Sequence, residues 1–265
     1  MTRIKLIFVF CLFANCLFSQ YQPVFLSKDN FWVDSVVKTM SNDEKIGQLF
    51  MVAAYSNKGE AHKKSILDLI EKYKIGGLMF LQGGPVRQAK LTNIYQSRSK
   101  IPLMIAIDAE WGVSMRLDSC LRFPWQMTLG AIKDNSLIYD MGSEIARQCS
   151  LIGVHINFAP VVDVNSNPNN PIINNRSFGE SAIRVSEKSL AYMNGLQDNY
   201  ILACAKHFPG HGDTDKDSHK TLPLVRRTKE QLDKVELLPY KNLIKEGLGS
   251  IMVAHLNIPS LDKTK

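Results

Sequence analysis

Six apolar runs recur along the chain, each separated from the next by a stretch of helical character: "IGQLFMVAAY" (46–55), "IGGLMFLQ" (75–82), "PLMIAIDAE" (102–110), "VHINFAPVVDV" (154–164), "ILACAKHFPG" (201–210) and "SIMVAHLNIP" (250–259). Runs apolar at nearly every position are the pattern of strands covered on both faces, and so of a parallel sheet. The segments 61–73, 84–99, 134–152, 180–199 and 229–246 read as helices. Thr228 with Gln231, and Ser41 with Glu44, are capping boxes; Gly247 and Gly249 supply a stop after the last helix.

Repeated βα units predict an α/β fold, with a (β/α)8 TIM barrel as the main expectation and a doubly wound sheet as the runner-up. The barrel is favoured by the chemistry at the ends of the runs. Acid, amide and imidazole groups recur there, and in a barrel those ends converge on one face. A barrel closes with eight strands, whereas six are legible before Lys265. The expected architecture is therefore a barrel truncated after about six βα units, with two unpaired edges that would leave the isolated chain unstable or prone to aggregate.

With 265 residues, 45% of them hydrophobic, the chain can bury a sizeable core. Arg3 and Lys5, the apolar run from Leu6 to Phe18, and Ser19 before Gln20 read as an export signal over residues 1–19. Residues 20–265 are then the mature part of an exported protein, periplasmic or extracellular. The apolar run is shorter than the roughly 20 residues a membrane span needs, so stable membrane insertion is not expected. Lipoprotein anchoring through Cys16 is a weaker alternative, because Phe13-Ala14-Asn15 puts a bulky aromatic and an amide where an aliphatic and a small residue are usual. Past the signal the cysteines are Cys120, Cys149 and Cys204, widely spaced and without a CxxC pair, which implies no disulfide framework. Cys204 lies in an apolar run and reads as a small buried thiol. Removing the signal takes away Arg3 and Lys5 and no acid, lowering the formal charge from +7 to +5. The excess is spread along the chain without a basic block, which gives nucleic-acid binding little support.

Two stretches concentrate polar residues. "NSNPNNPIINNRSFGE" (165–180) follows the fourth run directly and reads as a loop, an active-site loop by its position. "KHFPGHGDTDKDSH" (206–219) carries three histidines and three aspartates and has three readings. As a metal site it would use His207, His211, Asp213, Asp217 and His219, although no familiar ligand spacing is present. As a plain turn it needs only its glycines and proline. As an acid/base device it would use Asp217-Ser218-His219, since residues two apart in an extended segment face one side and a carboxylate there can hold an imidazole for proton transfer.

Together with "EKIGQLFM", "AIDAEWGVSMR", "NFAPVVDV", "NNRSFGE" and "IMVAHLNIPSLD", in that order, the stretch 206–219 resembles the signature of glycoside hydrolase family 3, in its β-N-acetylhexosaminidase branch. The resemblance extends over about residues 40–262. It implies a retaining glycosidase that removes terminal β-linked N-acetylglucosamine from an oligosaccharide or peptidoglycan-derived substrate, without a cofactor. It implies that His219 is the proton donor and later the general base, with Asp217 as its orienting partner. Asp108, Arg116, Arg176, Lys206 and His207 match sugar-binding positions. Each arginine has an alternative reading as an ion pair that holds a loop. Trp111 departs from the familiar motif, which has glycine there, and leaves the exact substrate open. The resemblance places the nucleophilic aspartate after the next strand, beyond Lys265, and Asp262 is not assigned to it. The chain would then carry the acid/base half of the machinery. A β-glucosidase of the same family, a catalytically silent sugar-binding fragment and a metal-dependent hydrolase are the rival expectations.

Overall fold

The computed structural model describes residues 30–217, 219 and 221–263. The signal segment 1–19, with Cys16, lies outside the described residues, as does Ser218 of the Asp217-Ser218-His219 triplet.

Strands β1 (Met51–Tyr55), β2 (Gly77–Gln82), β3 (Met104–Ile107), β4 (Ile156–Asn157), β5 (Leu202–Phe208) and β6 (Ser250–Val253) form one parallel sheet in the order β1-β2-β3-β4-β5-β6. Every strand pairs with its predecessor in sequence. A doubly wound sheet reverses its order at a switch point, so the runner-up is excluded and a partial (β/α) barrel is what remains. The connecting helices are α1 (Phe31–Thr39), α2 (Asn42–Gly47), α3 (Glu60–Tyr73), α4 (Pro85–Arg98), α5 (Gln126–Gly130), α6 (Ser136–Leu151), α7 (Ala182–Gln197), α8 (Lys229–Lys234) and α9 (Leu237–Lys245).

Two elements differ from the sequence expectation. The run 46–55 opens inside α2, because the Ser41–Glu44 capping box starts a helix that consumes Ile46 and Gly47 before the strand begins at Met51. The stretch 229–246 splits into α8 and α9 around Val235 and Glu236. Pro239 cannot donate into a continuing ladder, but it is tolerated in the first turn of a new helix, and that is where α9 places it. The predicted capping box of Thr228 and Gln231 is present at the start of α8.

The run 154–164 yields a short regular strand, and the chain beyond it still tracks β5. Lys206 N donates to Pro160 O at 3.2 Å, and Val162 N donates to Lys206 O at 2.8 Å. This irregular extension carries Asp163 to the end of β5. Beneath it lies a continuous apolar core in which Leu78, Phe80, Ile105, Ile107 and Ala203 of the sheet meet Ile70, Tyr95, Ile145, Tyr192 and Leu243 of the helices. Burial of such side chains contributes about 1.5–3 kcal/mol each and is what pins the strand ends in place.

The sheet edges among the described residues are β1 and β6; Phe50, just before β1, and Val253 of β6 are exposed. An apolar groove lined by Ile46, Phe50, Val52, Leu69 and Tyr73 runs beside β1. Cys120, Cys149 and Cys204 are free thiols. Cys204 is buried, as its apolar run predicts, and burial pushes the Cys149 thiol up to about 12. No helix among the described residues is long and apolar enough to cross a membrane.

Candidate active site

The C-terminal ends of β3, β4 and β5 bring a network of charges together. Asp108 and Glu110 follow β3 on alternate positions, so both carboxylates turn to the same side. The backbone that carries them is clamped from two sides. Asn157 of β4 accepts from Ala109 N at 2.9 Å and donates to Ala109 O at 3.2 Å, and the Tyr192 hydroxyl of α7 donates to Ala109 O at 2.9 Å.

Lys206, near the end of β5, is 2% exposed, and its ammonium lies 2.8 Å from Asp108 Oδ1 and 2.7 Å from Glu110 Oε1. Each carboxylate also holds one arginine. Arg116 Nη2 lies 2.5 Å from Asp108 Oδ2, and Arg176 grips Glu110 through Nε and Nη2 at 2.9 and 2.7 Å. Burial opposes ionisation of both acids, and the cations outweigh it. Asp108 is held below the usual carboxylate range by Lys206 and Arg116, and Glu110 is brought down to about 2 by Lys206 and Arg176.

A second buried carboxylate, Asp163, organises the start of the 206–219 stretch. It accepts from His211 N at 2.7 Å and from His207 N at 3.2 Å, and its Oδ2 lies 2.6 Å from His207 Nδ1. Burial works against its charge, yet His207 and these amides keep its pKa below the ordinary value. Arg176 Nη2 lies 3.3 Å from His207 Nε2. A guanidinium has no acceptor, so in this arrangement Nε2 accepts and the ring proton sits on Nδ1, facing Asp163. Gly212 is required nearby, because a Cβ there would lie 1.8 Å from Val164 O.

Asp217 and His219 sit farther along, past Gly212. His219 Nδ1 is 2.8 Å from Asp217 Oδ1, and the same oxygen accepts from His219 N at 2.9 Å. The imidazole is 81% exposed while the carboxylate is 19% exposed, so the ring is presented outward by a partly covered anchor.

Residues 41–265 match the family described as Glycosyl hydrolase family 3 N terminal domain. The chain belongs to glycosyl hydrolase family 3. It is 34% identical over 253 residues to Beta-hexosaminidase A of Pseudoalteromonas piscicida, covering 85% of this chain and 42% of the relative. It is 29% identical over 242 residues to the Beta-N-acetylglucosaminidase/beta-glucosidase of Cellulomonas fimi, covering 91% of this chain and 42% of that protein. Among solved structures it superposes with TM-score 0.79 on a glycoside hydrolase family 3 β-N-acetylglucosaminidase from Paenibacillus sp. str. FPU-7, at 34% identity, covering 86% of this chain and 44% of that one. The chain thus spans less than half the length of these three proteins.

In this family 3 chain the residues singled out in the sequence fall into two groups. Asp108, Arg116, Arg176, Lys206 and His207 converge in the strand-end network, and Asp217 with His219 forms a separate pair on the loop after β5. Both arginines form the ion pairs of their alternative reading, and both retain 20–25% exposure, which leaves them open to a ligand. Lys206 is turned onto its two carboxylates, which leaves Asp108, Arg116, Arg176 and His207 as the more exposed groups of the network. The proposed metal set is scattered. Asp213 pairs with Arg227, His211 Nδ1 lies 2.6 Å from Thr214 Oγ1, and among the described residues no cluster of three or more His, Cys, Asp or Glu is placed to hold an ion.

Glu110 and Asp163 carry no role in the sequence reading, although both lie inside quoted motifs. A carboxylate within an otherwise apolar run is the signal that would have found them, since such a group must be paired when buried. Trp111, adjacent to Glu110, packs on Trp125 with ring centroids 4.1 Å apart, and the Arg122 guanidinium lies within 6 Å of both rings.

The depressed acidity of Glu110 gives a pH prediction. A carboxyl with a folded value near 2 and an ordinary value of 4.5 contributes stability above pH 4.5 that is lost as the pH falls toward 2. The contribution is on the order of 3 kcal/mol. Thermal midpoints recorded from about pH 6 to about pH 3 should therefore fall more steeply for the wild type than for Glu110→Gln. Equal slopes would show that ionised Glu110 does not stabilise the fold.

Proposed function

We propose that the full-length protein is an exported retaining β-N-acetylhexosaminidase that removes terminal N-acetyl-β-glucosamine from peptidoglycan fragments or chitooligosaccharides. The observation that carries the reading is the Asp217–His219 pair. Because Nδ1 is taken up by Asp217, Nε2 is the atom free to exchange a proton, and it belongs to an exposed ring on the loop that leaves the strand-end network.

In this mechanism Asp108, Arg116, Arg176 and His207 hold the sugar hydroxyls. His219 Nε2 protonates the leaving glycosidic oxygen as a carboxylate nucleophile attacks the anomeric carbon, and the imidazole then takes a proton from the water that hydrolyses the glycosyl-enzyme. A retaining mechanism needs two groups about 5 Å apart on either side of the scissile bond. The family resemblance assigns the nucleophile to an aspartate after the next strand, outside this sequence. Export rests on Arg3, Lys5 and the apolar run Leu6 to Phe18.

The test compares hydrolysis of chromogenic N-acetyl-β-glucosaminide and β-glucoside by the full-length protein, with and without EDTA. Turnover of the N-acetylated substrate, insensitive to chelator, is the expected result. Preference for the glucoside would transfer the protein to the β-glucosidase alternative. Loss of activity with EDTA and its return with zinc would instead favour the metal-dependent hydrolase, and binding of N-acetylglucosamine without turnover would mark a silent sugar-binding protein.

A further inference from the structure

The loop that carries Asp217 and His219 leaves β5 at Phe208 and returns at Thr228, the N-cap of α8. Its two stems are fastened to different neighbours. The incoming stem is tied to the 165–180 loop, where Asn167 N donates to Gly212 O at 3.2 Å, Asn167 Nδ2 to Thr214 O at 3.2 Å, and Asn170 Nδ2 to His211 O at 2.8 Å. The outgoing stem is tied to the segment after β6 by Val225 N to Asn257 O and Asn257 N to Pro223 O, both at 2.9 Å. Between the stems the tip is exposed at Asp215, Lys216 and His219. Where that tip points depends on how the stems are joined.

Arg227 joins them. Its Nε lies 3.0 Å from Asp213 Oδ2 and its Nη2 lies 2.9 Å from Asp213 Oδ1, the parallel fork that a guanidinium and a carboxylate form best. The same Nη2 donates to Ser166 Oγ at 3.1 Å, which links the clasp to the 165–180 loop. On the inner side Glu236, 1% exposed, places Oε1 3.5 Å from Arg227 Nε. Neither Glu236 oxygen has a hydrogen-bond partner among the described residues, so Arg227 is the cation that balances it at closest range. Glu236 also forms the floor of the loop, since a Cβ on Gly210 would come within 2.6 Å of Glu236 Cβ. A buried carboxylate without hydrogen bonds is rare in folded proteins and calls for a reason. Holding the neck cation from below supplies one.

We propose that Arg227 is a positioning residue for acid/base catalysis, closing residues 213–227 at their neck so that the exposed imidazole of His219 is aimed at the leaving oxygen. The proposal rests on the acid/base reading of Asp217 and His219. Without Arg227 the carboxylates of Asp213 and Glu236 lose the cation they share, the neck opens, and the imidazole loses its aim while the sugar-binding network stays intact.

The experiment exploits leaving groups. An activated aglycone such as dinitrophenolate departs without a proton, whereas an alkyl aglycone needs one, so misplacing the acid harms the second class selectively. In the full-length protein, Arg227→Ala is expected to lower kcat/KM on the poor leaving group by roughly 10–100-fold, with kcat/KM on the activated substrate, which reports only the step in which the aglycone departs, changed by less than about threefold. Arg227→Lys should recover part of the loss, and Asp213→Asn should repeat the selective loss should Arg227→Ala not fold. An equal loss on both substrates, or none, in the folded variant would reduce Arg227 to a structural ion pair and overturn the proposal. His219→Ala serves as the reference. If it shows no leaving-group selectivity, the acid/base reading itself falls, and this inference falls with it.

Discussion

His219→Ala in the full-length protein is expected to lower turnover of an unactivated N-acetyl-β-glucosaminide by roughly 10²–10⁴-fold, the usual contribution of a positioned proton donor. The variant should fold normally. The ring is 81% exposed and its described contacts are with Asp217, so truncation removes little packing. Substrate affinity should also persist, because the groups assigned to the sugar hydroxyls belong to the separate network at the ends of β3 and β5. Asp217→Asn tests the partner. It keeps the shape but removes the charge that orients Nδ1–H, and its loss should be smaller than that of His219→Ala. Steady-state kinetics beside a thermal melt would check both. Unchanged turnover in a folded His219→Ala protein would remove the imidazole from the mechanism and return the 206–219 stretch to the plain-turn reading.

The second large effect concerns stability. Lys206→Met keeps roughly the length of the side chain and deletes its charge beneath Asp108 and Glu110, both of which remain ionised in the folded protein. Breaking a buried ion pair by removing one partner typically costs about 3–5 kcal/mol, because the remaining charge is left uncompensated. Here each carboxylate keeps one arginine, Arg116 or Arg176, so the loss should fall near the lower end, about 3 kcal/mol. Urea unfolding of the full-length protein would measure it. A midpoint within error of the wild type would mean that the arginines alone hold the two acids. Lys206→Met, Glu110→Gln should be destabilised by less than the sum of its two single variants, since the pair that links them is lost with the first substitution.

Much of the fold was readable because its determinants are local. Apolar runs of strand length, two capping boxes and the stops at Gly247 and Gly249 mark where each element begins or ends, and the structure places strands or helices there. The exceptions also have local causes. Pro239 breaks the last helical stretch, and the capping box of Ser41 draws Ile46 and Gly47 into a helix. The candidate site was readable as a set of residue types at strand ends, but its wiring was not. Asp108 and Lys206 are 98 residues apart, and Glu110 and Arg176 are 66 apart. No periodicity reports such pairings.

Sequence by itself determined the alternation of strand and helix, the placement of charged groups at the ends of apolar runs, and the two-residue spacing that lets Asp217 meet His219. Tertiary structure decided that the strands pair in sequential order, that Lys206 is shared by two carboxylates, that Asp163 anchors His207 and His211, and that Arg227 pairs with Asp213 above Glu236. The division follows from the range of the interactions. Propensity, capping and short-range hydrogen bonds act within a few residues, whereas the partner of a buried charge is chosen by whichever distant group the packed core brings within about 3 Å of it.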